Sequence, residues 1–303
     1  MKLHGIIPPI VTPMKADESL DLEGLRRHID WMLNGNSETP LKVPLVQGIF
    51  VLGTTGEFYA LDESEKQTVI ATAVQHVAGR VPVFAGTGAE STREVLRLTK
   101  MAEREKASGV SVITPYFLKP TQTELIDHFR RVAESTALPV ILYNNPATCG
   151  GINIDPATVA TLAEIANVVG MKDSSGDMQN TLETIRLAPK RFSVLMGRDT
   201  LILPALTFGV KGAIPASSNI APALCVGIYE SFIKGDIAAA KSFQERLTPV
   251  RLAMSLGTGN GVVKEAMAVL GRSAGPNRRP VAILSDDKRK KLKAILTAAG
   301  VTE

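Results

Sequence analysis

Cysteine is almost absent from this chain, which holds only Cys149 and Cys225 among its 303 residues. The two form no C-x-x-C pair and no disulfide framework, so the small stapled folds and thiolate metal sites are set aside. Histidine is scarce as well. His4, His28, His76 and His128 are scattered, without H-x-x-x-H spacing or a carboxylate cluster, so each reads as a surface or helix-face residue and no metal is expected. Aromatic residues make up 5% of the chain, too few to interleave with basic residues across a nucleic-acid surface, so nucleic acid is not an expected partner. The net charge of +4 gathers in good part in "DDKRKKLK" near the C-terminus, which alternates like the solvated face of a last helix. No apolar run is long enough to span a membrane, and "MKLHGIIPPIVTP" is too broken by prolines to be a signal peptide. These absences leave a cytoplasmic protein with no membrane partner as the expectation.

What is present is an alternation. Hydrophobic residues at 45% and charged residues at 21% are ordinary for a globular protein. Eight short apolar runs are separated by longer amphipathic stretches. The runs are "GIIPPIVT" (5–12), "GIFVLG" (48–53), "VPVFAGT" (81–87), "GVSVITP" (109–115), "LPVILYN" (138–144), "NVVGMKD" (167–173), "FSVLMG" (192–197) and "GAIPAS" (212–217). Continuous apolarity, rather than strict alternation, marks strands covered on both faces. The stretches between them, such as "DESEKQTVIATAVQHV" and "TELIDHFRRVAEST", are helical, and Asp62, Ser91, Thr121 and Asp155 stand where helix caps belong. Eight such units in about two hundred residues predict an α/β fold, a closed (β/α)8 TIM barrel over residues 1–220. No G-x-G-x-x-G follows the first strand, which counts against an open dinucleotide-binding sheet. Residues 221–303 read as purely helical, an appendage packed on the barrel. The stretch 34–45, "NGNSETPLKVPL", reads as a surface insertion on the non-catalytic side.

In a barrel, chemistry sits where strands end and βα loops begin. That selects Thr54 and Thr55 in "GTTGEFY", Tyr116 in "TPYF", Tyr143 in "LYNNPATCG", and Lys172 with Ser174 in "GMKDSSG". It also selects Gly197, Arg198 and Asp199 in "MGRDT" and Ile214 to Ser218 in "AIPASS". Two readings are open for Lys172. One is a strand end whose stem reaches along apolar surface to water. The other is an amine held in a partly dry pocket as a nucleophile. "GTTGE" could be only a turn and cap, Tyr143 a plug in the barrel end, and Cys149 a bystander thiol. "GTGNGVVKEAM" lacks the P-loop lysine pattern and reads as a helix cap. Taken together, an amine, a phenol and a threonine hydroxyl at one mouth suit Schiff-base chemistry on a 2-oxo acid. The iminium acts as electron sink, and backbone N–H groups of "GTTGE" at a helix N-terminus would receive the carboxylate.

The run of motifs from "GIIPPIVTPM" through "GTTGE", "TPY", "YNNP", "GMKD" and "GAIPASSN" to "GVVKEAM" resembles the dihydrodipicolinate synthase and N-acetylneuraminate lyase family of class I aldolases. The resemblance covers nearly the whole chain. It implies a (β/α)8 barrel, usually a homotetramer, that works without a cofactor. It also implies Lys172 as the Schiff-base lysine, Tyr143 as the proton-relay phenol and Thr54 as the group that orients it. Thr55 and Gly56 would help hold the carboxylate of pyruvate, Gly197 and Ile214 would line the pocket, and Ser174 would join the substrate-binding set.

Two departures bear on substrate. The synthases of this family follow "YNxP" with an arginine for a second carboxylate, and here that position is Thr148. They also read "TPYY", whereas the second tyrosine is here Phe117, which has no hydroxyl to complete a relay across a subunit interface. A threonine cannot replace a bidentate guanidinium, although Arg198 could supply another cation. The pattern is closer to catabolic 2-keto-3-deoxy sugar acid aldolases. The expected reaction is cleavage to pyruvate and an aldehyde. Dihydrodipicolinate synthesis, keto-deoxy acid dehydration and a catalytically silent barrel are the alternatives.

Overall fold

The computed structural model describes residues 2–35 and 45–301, so most of the expected insertion at 34–45 lies outside the described residues. Eight parallel strands run β1 (Gly5–Ile6), β2 (Ile49–Val51), β3 (Val83–Gly86), β4 (Gly109–Ile113), β5 (Val140–Asn144), β6 (Val168–Asp173), β7 (Ser193–Met196) and β8 (Gly212–Ala213). The helices between them are α1 (Leu22–Asn34), α2 (Glu63–Val77), α3 (Thr92–Arg104), α4 (Gln122–Glu134), α5 (Pro156–Ala163), α6 (Met178–Leu187) and α7 (Ile202–Thr207). After β8 come α8 (Pro222–Ile233), α9 (Ile237–Leu252), α10 (Gly259–Val269) and α11 (Asp286–Ala298). This is the expected α/β barrel with C-terminal helices. From β2 to β8 each strand pairs in parallel with its sequence neighbour, and β1 pairs with β8.

The first strand is shorter than its apolar run because Pro8 and Pro9 have no N–H to give a ladder. The barrel still closes there. Ile10 donates to the Phe50 carbonyl, and Phe50 donates to the Pro8 carbonyl, each at 2.9 Å. The Gln47 side chain accepts from the Ile6 amide at 2.7 Å, standing in for a missing backbone partner. Where β1 meets β8, a Cβ on Gly212 would lie 2.1 Å from the Gly5 carbonyl oxygen, so only glycine lets these strands approach.

The strands are buried along their length, except for half-buried Gly86 at the end of β3, as their continuous apolarity requires. Inside the barrel, Phe50, Phe84, Ile141, Leu195 and Ile214 fill the interior, and the larger core lies between strands and helices. Capping follows the sequence at three of the four expected positions: Asp62 and Thr121 form capping boxes, and Ser91 accepts from the Glu94 amide. Asp155 differs. It occupies the N-cap position of α5, yet its carboxylate accepts nothing there, and its own amide is held by Gln122 at 3.1 Å. Helix α8 packs against β1, α7 and α9, and we propose to count it as the barrel's eighth helix, which starts the appendage at α9. The appendage has its own core, with Val250, Met254, Val263, Met267, Leu292 and Leu296. No described helix is long and apolar enough to cross a membrane.

Asn219 ties the two ends of the barrel together. Its Oδ1 accepts from the Val11 amide (3.0 Å) and meets His28 Nε2 (2.9 Å), while its Nδ2 donates to the Pro9 carbonyl (2.9 Å). Burial pushes the His28 imidazole down to about 4 from its ordinary 6.5. The hydrogen bond with Asn219 opposes that shift, and the Arg272 charge adds to it. The folded state therefore holds the neutral ring, whereas an unfolded chain takes up a proton near pH 6.5. Stability from this group is complete above pH 6.5 and is lost as pH falls toward 4, by about 3 kcal/mol in all. Urea unfolding at pH 7 and pH 4.5 should show a smaller difference in His28→Gln than in the parent chain. An unchanged difference would remove His28 from the account.

Candidate active site

The strand register brings the expected residues to one mouth. Tyr143 on β5 pairs with Lys172 on β6, one residue before each strand ends. Both side chains are buried, and Lys172 Nζ lies 4.2 Å from the centre of the Tyr143 ring and 5.4 Å from that of Phe50. Phe50 belongs to the interior cluster that also holds Ile214. The Tyr143 hydroxyl lies 3.4 Å from Thr54 Oγ1. Burial drives this phenol up, but the Lys172 charge and the hydrogen bonds with Thr54, Lys172 and Ser174 outweigh burial and hold it below its ordinary value. A phenol so placed gives up its proton more readily than a free tyrosine. Ser174 owes its position to Gly197, where a Cβ would lie 2.0 Å from Ser174 Oγ.

"YNNP" divides its labour by strand alternation. Asn145, two residues beyond Tyr143 and on its side of the strand line, donates from Nδ2 to the phenol at 3.1 Å. Sequence reasoning missed it, although the two-residue spacing was there to read. Asn144 points the other way and binds Asp173 Oδ1 (3.1 Å), Asn153 and the Ile154 amide. Asp173 is fully buried, and Ser175 and Thr181 also donate to it, so the carboxylate next to Lys172 is spent on structure.

"GTTGE" is a turn, but it does not lead into an α-helix. Glu57 sits at φ 56°, in the left-handed region, a single 3-10 turn (Phe58–Ala60) follows, and α2 begins only at Glu63. The expected helix N-terminus is therefore absent. The Gly56 amide is engaged within the turn, donating to the Gly53 carbonyl at 2.9 Å. Thr55 is buried beside it, and the amides of Thr54 and Thr55 make no hydrogen bond among the described residues. Of the remaining candidates, Asp199 accepts from the Ser217 amide at 2.8 Å and joins two βα loops. Arg198 donates from Nε to the Ser174 carbonyl at 2.8 Å and lies against Gly176. Thr148 is exposed on the short turn Pro146–Thr148.

Beside Thr54 a cavity of about 380 Å³ opens, lined by Thr54, Phe58, Tyr59, Tyr116, Thr148 and Asn260 among others. Tyr116 packs edge-on to Phe58, and burial first, then the Glu90 charge, raises its phenol far above the ordinary range. One wall comes from the appendage, which sequence reasoning left outside the site. Asn260 Nδ2 donates to the Thr54 carbonyl at 2.6 Å. Lys264 on α10 forms an ion pair with Glu57 at 2.6 Å, with the two side chains 3% and 1% exposed. Arg278 adds its amide to Glu57 Oε2 (3.0 Å) and its guanidinium to Glu65. Among the described residues, no group of three or more His, Cys, Asp or Glu side chains is placed to hold a metal ion.

The sequence model of the dihydrodipicolinate synthetase family matches residues 2–299. The chain belongs to that family. Members of the dihydrodipicolinate synthetase family are lyases that act through a Schiff base, and this chain is a Schiff-base-forming lyase of the aldolase type. It is 40% identical over 295 residues to 4-hydroxy-tetrahydrodipicolinate synthase of Methanothrix thermoacetophila, covering 97% of this chain and 96% of that one. An uncharacterised DapA-like lyase of Halobacterium salinarum is 38% identical over 299 residues, 99% and 95% of the two chains. Among solved structures, YagE, a prophage protein of this family from E. coli K12 in complex with pyruvate, is 34% identical with a TM-score of 0.92, each chain covered to 99%.

In this family member the turn that carries Thr54 is locked from behind by Lys264. Burial lowers the Lys264 amine, and the Glu57 charge works against that shift. Replacing one partner strands a buried charge. Lys264→Met should cost about 3–5 kcal/mol, and Glu57→Gln with Lys264→Met should recover much of the loss. Denaturant titration of both variants measures this, and equal costs for the single and double variants would refute the pairing.

Proposed function

We propose that the enzyme cleaves a 2-keto-3-deoxy sugar acid to pyruvate and a neutral hydroxylated aldehyde. The Lys172 amine attacks the 2-keto carbon, and loss of water leaves an iminium. Tyr143, as phenolate, takes the proton of the 4-hydroxyl. The C3–C4 bond breaks, its electrons pass into the iminium to give an enamine, and the aldehyde leaves. The enamine takes its proton back at C3, and water hydrolyses the imine to pyruvate and free Lys172. Thr54 orients the phenol, the unengaged amides of Thr54 and Thr55 are assigned to the carboxylate end with Gly56 closing the turn behind them, and Gly197 and Ile214 are assigned to the pocket wall.

The observation that carries the substrate is the cavity lining. Thr148 occupies the position where an arginine would meet a second carboxylate, and the lining residues include hydroxyls and an amide but no lysine, arginine or histidine. Arg198, the replacement cation that the sequence offered, is turned to the Ser174 carbonyl. A second reading, 4-hydroxy-tetrahydrodipicolinate synthesis, is favoured by the name of the Methanothrix relative. The same proposal has the chain as a homotetramer or homodimer, supported by Phe117 and Leu118, which stand 94% and 74% exposed as an apolar patch.

Borohydride added with pyruvate should fix a reduced pyruvyl group on the peptide carrying Lys172, and Lys172→Ala should lose it. An adduct on another lysine would sink the assignment. Tyr143→Phe should slow turnover by roughly 10²-fold or more while the adduct still forms. For substrate, the specificity constant for 2-keto-3-deoxygluconate cleavage should exceed that for condensation of pyruvate with aspartate semialdehyde by about tenfold to a hundredfold. That ratio matches the value of a charge-assisted contact the pocket lacks. The opposite ranking, abolished by Arg198→Ala, would make the second reading correct.

A further inference from the structure

Asn260 belongs to the appendage by sequence and to the mouth by position. Besides the bond to the Thr54 carbonyl, its Nδ2 reaches the Tyr59 hydroxyl at 3.3 Å. A peptide carbonyl can only accept, so the orientation of this side chain is decided: Nδ2 faces Thr54, and Oδ1 faces away. Oδ1 accepts no hydrogen bond among the described residues. Asn260 lines the cavity together with Thr148 and with Thr258, whose hydroxyl makes no capping bond at the start of α10.

We infer that Asn260 is a specificity-determining residue, whose Oδ1 accepts a hydrogen bond from a hydroxyl of the aldehyde half. The inference rests on the retro-aldol reading above. A neutral acceptor separates ligands by what they can donate. A hydroxyl pairs with it, a carboxylate oxygen meets it lone pair to lone pair, and a methylene leaves it dry and unpaired. The Glu90 carboxylate beside Tyr116 biases the mouth the same way, against anionic aldehydes. The ligand class is thus a 2-hydroxy or polyhydroxy aldehyde. The same amide holds the Thr54 carbonyl, and Thr54 Oγ1 lies 3.4 Å from the Tyr143 phenol, so recognition of the aldehyde and placement of the proton relay share one side chain.

The test compares the parent enzyme, Asn260→Ala and Asn260→Asp in the condensation direction, using pyruvate with glyceraldehyde and pyruvate with propanal. Borohydride trapping at Lys172 is run in parallel. In Asn260→Ala the adduct should persist, kcat/KM for glyceraldehyde should fall about 10- to 100-fold, and that for propanal by about threefold or less. Asn260→Asp, which keeps an acceptor, should preserve the preference for glyceraldehyde at lower turnover. Equal losses for both aldehydes in Asn260→Ala, with or without loss of the adduct, overturn the inference and make Asn260 a scaffold for Thr54. A parent enzyme that forms no Lys172 adduct, or condenses neither aldehyde, overturns the retro-aldol reading and the inference with it.

Discussion

The ion pair between Glu57 and Lys264 holds this architecture at its working end. Burying two charges is expensive, and the cost is offset only when geometry and further hydrogen bonds satisfy both groups. Here the Pro276 carbonyl accepts from Lys264, and the Arg278 amide donates to Glu57, so each charge has a second partner. What the pair secures is conformation. Glu57 occupies a left-handed backbone position that a glutamate adopts only under constraint. The turn it ends carries Thr54, and Thr54 meets the phenol. Through this chain of contacts the C-terminal helices become one side of the reaction chamber.

The second constraint is the parallel register. Because β5 and β6 pair Tyr143 with Lys172, the phenol and the amine are neighbours without any loop having to place them. Sites built on strands hold their geometry more tightly than sites built on loops. The loops contribute the rim: Thr148, Asn260 and the exposed Phe117, which sits at φ 81°. A pair fixed on strands beneath a rim built on loops is the arrangement by which barrels of this kind change substrate while keeping their chemistry.

Much of this was legible from residue order. Continuous apolar runs located all eight strands because burial on both faces leaves no polar alternation to disguise them. Lys172 and Tyr143 stood out only together: each alone reads as a strand end reaching for water or a plug, whereas an amine, a phenol and a threonine hydroxyl at successive strand ends suit one chemistry. Other features followed different physics. Pro8 and Pro9 shortened the first strand by withholding donors, an effect visible in the letters but overruled by their apolar neighbours. Asn260 and Lys264 sit in "GTGNGVVKEAM", a stretch that reads as a helix cap and says nothing of their partners. Their partners, Thr54 and Glu57, lie more than two hundred residues earlier in the chain, and such contacts arise only from the closed topology.

The seam between the first two strands has a consequence for how the protein is made. With two prolines just after β1, part of the N-terminal segment is satisfied by side chains, and Asn219 supplies the most distant of them, 208 residues from Val11 and 210 from Pro9. Contacts of such sequence separation are slow to form, since a long loop must be closed before they contribute. On a ribosome, residues 5–12 emerge early but have no completed setting until the loop after β8 has been synthesised. For most of its synthesis the nascent chain carries an unclosed sheet with Ile6, Ile7 and Ile10 uncovered. That interval is when the polypeptide is most open to association with other chains.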